Sequence, residues 1–145
     1  MTVAIVIGTH GASAEQLLKS TEMIIGEQTN VGVIDFMPGE NADTLVDKLK
    51  DEANTLDTSD GLLFLVDLFG GSPFNAASRI VIEHENADVV TGVNIPMLLE
   101  TLSMRSAQSL PELVETALTA GAFGIKSLKA GLAAAANEEE NEEEL

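Results

Sequence analysis

Apolar positions along the chain fall into two rhythms. "VAIVI" (3–7) and "GLLFLVD" (61–67) are continuous runs without in–out alternation. Such runs suit strands covered on both faces, as in a parallel sheet. "VGVIDF" (31–36) and "ADVVTGV" (87–93) read as two further strands. Between them the spacing changes to three and four. Ala14, Leu17, Leu18, Thr21, Ile24 and Ile25 share one helical face, opened by Ser13 with Gln16 as its capping-box partner and stopped at Gly26. Residues 41–56 align Leu45, Leu49, Ala53 and Leu56. Ser72-Pro73 marks another start, with serine in the N-cap place and proline at the first helical position. Residues 94–104 give a short helix, with Met97 and Met104 at core spacing. Ser109 and Glu112 form the capping box of a last helix that stops near Gly121. "GIKSL" (124–128) offers one more short strand.

This order predicts an α/β fold: a doubly wound, mostly parallel sheet of four strands with helices on both faces and right-handed crossovers. The common strand order 2-1-3-4 makes strands 1 and 3 neighbours across the switch point where ligands bind. Residues 1–130 read as one domain without internal repeats. Residues 131–145 read as an Ala/Glu-rich disordered tail or linker.

Charge sets the end of the chain apart from the rest. The net charge is −17, and six glutamates in the last eight residues account for part of it, leaving −11 for residues 1–137. That stretch repels itself and has nothing apolar to pack, so it is expected in solvent. The body is still acidic, with seven Lys plus Arg in all. Nucleic-acid binding needs a basic footprint and is excluded on this ground. A partner presenting a positive face suits the charge better. With no cysteines, disulfides and thiolate chemistry are ruled out. No apolar run reaches the ~18 residues of a membrane span, and "MTVAIVIG" lacks the basic start and cleavage site of a signal peptide. A cytoplasmic protein is the expectation.

Chemistry concentrates at two strand ends. His10 follows the first strand within "GTHG", and Asp67 closes the third. In the 2-1-3-4 order both face one crevice. An imidazole is largely neutral near pH 7 and can act as a nucleophile. A carboxylate on its Nδ1–H fixes the tautomer, aims the Nε2 lone pair outward and stabilises charge developing on the ring. "GGSP" (70–73) follows at once. Its glycines allow close backbone approach, and the helix start at Ser72 binds anions through free N–H groups and the macrodipole. Taken singly these residues are ordinary: a histidine after a strand, an aspartate at a turn, a serine before a proline. Their conjunction is what points to phosphoryl chemistry. His84 and Asp35 read as a helix-end and a turn residue.

Rival chemistries lack their residues. There is no phosphate-loop lysine after "GTHGAS", no dinucleotide fingerprint and no nucleophile elbow. His10 and Asp67 have no third metal ligand nearby in sequence, so neither a metal nor a cofactor is expected.

Four stretches together resemble a known family: "AIVIGTHG", "GEQTNVGVIDFMPGEN", "LFLVDLFGGSPFNAASRI" and "GVNIPMLLETL". They are similar, in order from about residue 2 to 128, to the enzyme IIA domain of the mannose family of the bacterial phosphoenolpyruvate-dependent sugar phosphotransferase system. The resemblance implies that His10 accepts a phosphoryl group on Nε2 from the histidine-containing phosphocarrier protein. It implies that Asp67 orients that imidazole, and that Gly71 and Ser72 receive the phosphoryl oxygens. The group then passes to a IIB component and on to a sugar entering through membrane IIC and IID subunits, which places the chain in the cytoplasm beside the transporter. It further implies a homodimer exchanging a C-terminal antiparallel strand, here "GIKSL". Leu68 and Ala12 depart from the family pattern at the rim. Two alternatives are a phosphocarrier serving dihydroxyacetone kinase and a receiver-like module phosphorylated on Asp67. A receiver would need acidic metal ligands after strand 1, where this chain has Gly8-Thr9-His10.

Overall fold

The computed structural model describes residues 1–143. The strands are β1 (Ala4–His10), β2 (Val31–Phe36), β3 (Leu62–Val66) and β4 (Ala87–Val90). The helices are α1 (Ser13–Ile25), α2 (Ala42–Asn54), α3 (Ser72–Glu83), α4 (Ile95–Met104), α5 (Leu110–Phe123) and α6 (Leu128–Glu143). All three strand pairings are parallel, in the expected order β2-β1-β3-β4.

The two central strands are apolar on both faces because both faces are covered. On one side Val3, Ile5, Ile7, Leu63 and Leu65 meet Leu98 and Leu102 of α4 and Leu113 and Ala117 of α5. On the other, Ala4, Val6 and Phe64 meet Leu45 and Leu49 of α2 and Ala76, Ala77 and Ile80 of α3. Each fully buried leucine contributes about 1.5–3 kcal/mol. His10 continues the Ala4–Val6 series, so side-chain alternation brings it out on the α2–α3 side.

Caps explain most helix starts. Asn41 and Asn94 accept from the amides of Thr44 and Met97, and Ser109 and Glu112 close the expected capping box. Two starts differ from expectation. Ser13 is inside α1 and forms no box with Gln16; its hydroxyl bonds Thr9 Oγ1 at 2.7 Å and donates to the His10 carbonyl at 3.2 Å. At α3 the N-cap is Gly71, and Ser72 is the first helical residue. α5 also runs past Gly121, because that glycine serves close packing rather than a stop: a Cβ there would lie 2.8 Å from Met97 Cε.

The amino end of the sheet is locked by Arg105, which is 4% exposed. Its guanidinium donates to the Asn30 carbonyl at 2.8 Å, to Gln28 Oε1 at 3.3 Å and to the Thr29 carbonyl. Its own carbonyl accepts from Val3 N–H at 3.2 Å. Burial without a carboxylate partner pushes its pKa down.

The C-terminal region departs most from the sequence expectation. No strand forms over 124–128 within this chain: residues 125–127 pair with no strand, and α6 begins at Leu128. A lone extended segment has no ladder to join unless it reaches a sheet edge. Where a disordered tail was expected over 131–145, residues up to Glu143 are helical, with none buried. Alanine, leucine and glutamate are strong helix formers, which favours local helix even with nothing to pack against. Residues 144 and 145 lie outside the described residues.

Candidate functional site

β1 delivers His10 to the carboxyl edge of the sheet, and Asp67 follows β3 directly. Asp67 Oδ2 accepts from the His10 backbone N–H at 3.0 Å. The same oxygen lies 3.0 Å from His10 Nδ1, and Oδ1 lies 3.2 Å from it. An ionised carboxylate can only accept, so Nδ1 is the donor and carries the proton. The lone pair of the neutral ring is then on Nε2. One carboxylate thus fixes both the backbone and the ring tautomer of the same residue. The side chains stay 44% and 31% exposed, so Nε2 is reachable from outside.

The helix start expected beside the histidine is there. A Cβ built on Gly71 would lie 2.9 Å from His10 Cε1 and 3.5 Å from Nε2. Any larger residue would push the imidazole aside, so glycine at 71 is what lets the N-terminus of α3 stand next to Nε2. Gly71 and not Ser72 serves as the cap residue, and no side chain caps this end. The first amides of a helix have no intrahelical acceptor. Ser72 lies in that first turn with its hydroxyl unused as a cap. All four predicted residues, His10, Asp67, Gly71 and Ser72, therefore meet in one place. His84 sits at the far end of α3 as its C-cap, away from them.

Two contributors were not singled out in the sequence. The first is Phe36, opposite His10 in the β1–β2 register. Its ring stands edge-on to the imidazole, with centroids 5.4 Å apart and planes at 72°. Its backbone exchanges two hydrogen bonds with Gly11, 2.8 and 3.0 Å long, and Gly11 reaches this position with φ +65°. The second is Lys48 of α2. Its Nζ donates to the Asp35 carbonyl at 2.9 Å, to Asp35 Oδ1 at 2.5 Å and to both Glu40 carboxylate oxygens at 3.1 Å. The hydrogen bond from Lys48 holds the Asp35 pKa below its ordinary value. Glu40 is likewise lowered, first by the Met37 backbone N–H and then by Lys48. Desolvation works against the Lys48 charge, yet its bonds to Asp35 and Glu40 leave its pKa raised. Phe36 was legible only once the strand order placed it level with His10.

A family model described as "PTS system fructose IIA component" matches residues 4–118. The mannose-specific EIIAB component of the phosphotransferase system of Escherichia coli K12 is 61% identical over 131 residues, which are 90% of this chain and 41% of that protein. The chain thus spans less than half the length of that curated relative. The fructose-specific EIIA component of Bacillus subtilis 168 is 34% identical over 145 residues, covering 99% of each. Among solved structures, the phosphotransferase system component EIIA from Streptococcus agalactiae superposes with a TM-score of 0.80 at 30% identity, over 88% of this chain and 98% of that one.

Proposed function

The chain belongs to the enzyme IIA family of the sugar phosphotransferase system that this match defines, and from that premise we propose that it carries a phosphoryl group on Nε2 of His10. One observation carries the proposal above the others. Asp67 holds Nδ1–H, which leaves the Nε2 lone pair beside the open N-terminus of α3. In the forward step Nε2 attacks phosphorus on the phosphohistidine of the phosphocarrier protein. The new N–P bond forms as the donor's N–P bond breaks, and that electron pair returns to the donor imidazole. Positive charge arising on the His10 ring is met by the Asp67 carboxylate through Nδ1–H. The phosphoryl oxygens take the free amides of α3 and the Ser72 hydroxyl, an interaction worth about 0.3–1 kcal/mol per charge and up to ~2 when partly buried. Transfer to a histidine of the IIB component repeats the step in the opposite sense. Asp67 is engaged twice by His10, which disfavours its use as the phosphorylated residue of a receiver.

The proposal extends to partners and place. The chain works in the cytoplasm, at the inner face of the IIC/IID transporter. No described helix is long and apolar enough to cross a membrane. It acts as a homodimer in which residues 124–128 of each copy join the β4 edge of the other. Three features support this. Among the described residues β4 pairs only with β3, Ile125 and Leu128 are 78% and 79% exposed, and an apolar groove of about 670 Å³ between α4 and α5 reaches Phe123 and Gly124. Mannose is the first sugar to offer a reconstituted system.

The test is mass analysis after incubation with phosphoenolpyruvate, enzyme I and the phosphocarrier protein, in wild type and His10→Ala. One acid-labile, alkali-stable phosphoryl adduct, absent from the variant, is expected. An adduct persisting in His10→Ala overturns the assignment. Native mass spectrometry of the same samples reads the dimer, and a monomer at micromolar concentration overturns that part.

A further inference from the structure

The geometry points to Phe36 as a positioning residue for His10, an inference that rests on the phosphoryl-carrier reading and deepens it. The imidazole is flanked on both sides along the sheet edge. From the β3 side comes Gly71, so close that a Cβ would collide with Cε1. From the β2 side comes the Phe36 ring at 5.4 Å. Rotating the imidazole by half a turn about Cβ–Cγ would put Cδ2 in place of Nδ1 at Asp67, so the carboxylate would no longer fix the tautomer, and would exchange the places of Nε2 and Cε1 beside Gly71. The Asp67 bonds oppose that rotation by attraction, and Phe36 opposes it by occupying the space the ring would sweep.

Phe36 is itself held from three directions. Its ring packs on the core formed by α2, α3 and the sheet. Its backbone is doubly bonded to Gly11, the residue directly after His10. Both of its sequence neighbours are tied down by one lysine. Lys48 takes the Asp35 carbonyl directly, and it holds Glu40, whose Oε1 accepts from Met37 N–H at 2.8 Å. A wall supported in this way keeps the nucleophile in its attacking orientation between successive partners. Its effect belongs in kcat, because Phe36 is set against the imidazole ring and fixes the ring's orientation.

Phe36→Ala and Phe36→Leu test the proposal with two readouts. The first is the ring ¹⁵N signature of His10 in the unphosphorylated protein across pH, which reports the tautomer. The second is phosphoryl transfer from the phosphorylated carrier protein, separated into kcat and KM. Phe36→Ala is expected to mix in the Nε2–H tautomer and to lower kcat about tenfold, with KM within about twofold. Phe36→Leu, which refills most of the space, should show the same changes to a smaller degree. A wild-type ring signature and kcat in Phe36→Ala overturn the proposal; if that variant does not fold, the same result in Phe36→Leu does. If wild-type protein accepts no phosphoryl group, the carrier reading fails, while the ring signature still decides the role of Phe36.

Discussion

The two ends of the sheet each hold a nitrogen-rich side chain by hydrogen bonds, and they use it in opposite ways. At the amino end Arg105 is buried, and its guanidinium is spent on two carbonyls and a side-chain amide of the α1–β2 connection. At the carboxyl end His10 commits its backbone N–H and Nδ1 to Asp67 and leaves Nε2 open beside α3. A buried polar group whose hydrogen bonds all go to the protein's own backbone and side chains is architecture, since removing it orphans its partners. A group with one site held and one free is equipped for chemistry. The contrast separates the two without reference to residue type.

Arg105→Met should cut deepest. It leaves the carbonyls of Thr29 and Asn30 without their donor, and a loss of about 2–4 kcal/mol is expected in urea unfolding. Phosphoryl transfer by the folded fraction should stay unchanged. A loss of transfer with full stability would erase the distinction between the two ends.

Asp67→Asn should do the reverse. An amide oxygen in the Oδ2 place still accepts from His10 N–H, but the amide nitrogen in the Oδ1 place sets a competing donor 3.2 Å from Nδ1, and the negative charge that meets the ring during transfer is gone. Transfer should fall about 10²-fold in a discontinuous phosphorylation assay, with stability altered by less than about 1 kcal/mol. Wild-type transfer would mean that the reaction does not depend on the Asp67 negative charge.

Lys48→Met should have the mildest outcome of the three. The lowered folded-state pKa values of Asp35 and Glu40 contribute stability above their ordinary values of 3.8 and 4.5, and it is lost as pH falls through the folded values. Replacing Lys48 should lower the neutral plateau slightly and flatten the acid limb of a stability-against-pH curve, leaving stability below the folded pKa values nearly in place. An unchanged acid limb would show that these exposed pairs are energetically idle.

Much of this was legible in the sequence because it rests on local pattern. The doubly apolar runs at β1 and β3 gave the parallel sheet, and its common order put His10 and Asp67 together. What stayed hidden depends on partners far along the chain. Arg105 lies 75 positions from the Asn30 carbonyl it binds, and no spacing announces such a bond. Ser13 looked like a cap, but Thr9 and the His10 carbonyl compete for its hydroxyl and win. Ser72 and Gly71 exchanged roles at α3 because the imidazole demands the space a side chain at 71 would fill. Phe36 read as the last apolar residue of a strand until register set it level with the histidine. The segment after Phe123 has no home in a single copy, so composition alone could not choose between strand, coil and helix.

The distribution of work along the chain has a consequence for synthesis. His10, Phe36, Lys48, Asp67, Gly71 and Ser72 all precede residue 76, whereas α4 and α5, which cover one face of β1 and β3, are made after them. Chains emerge from the ribosome amino end first. A nascent chain therefore possesses every one of these groups while α1 alone covers one face of its central sheet, and emergence of α4 and α5 closes that face behind a site whose residues are already made.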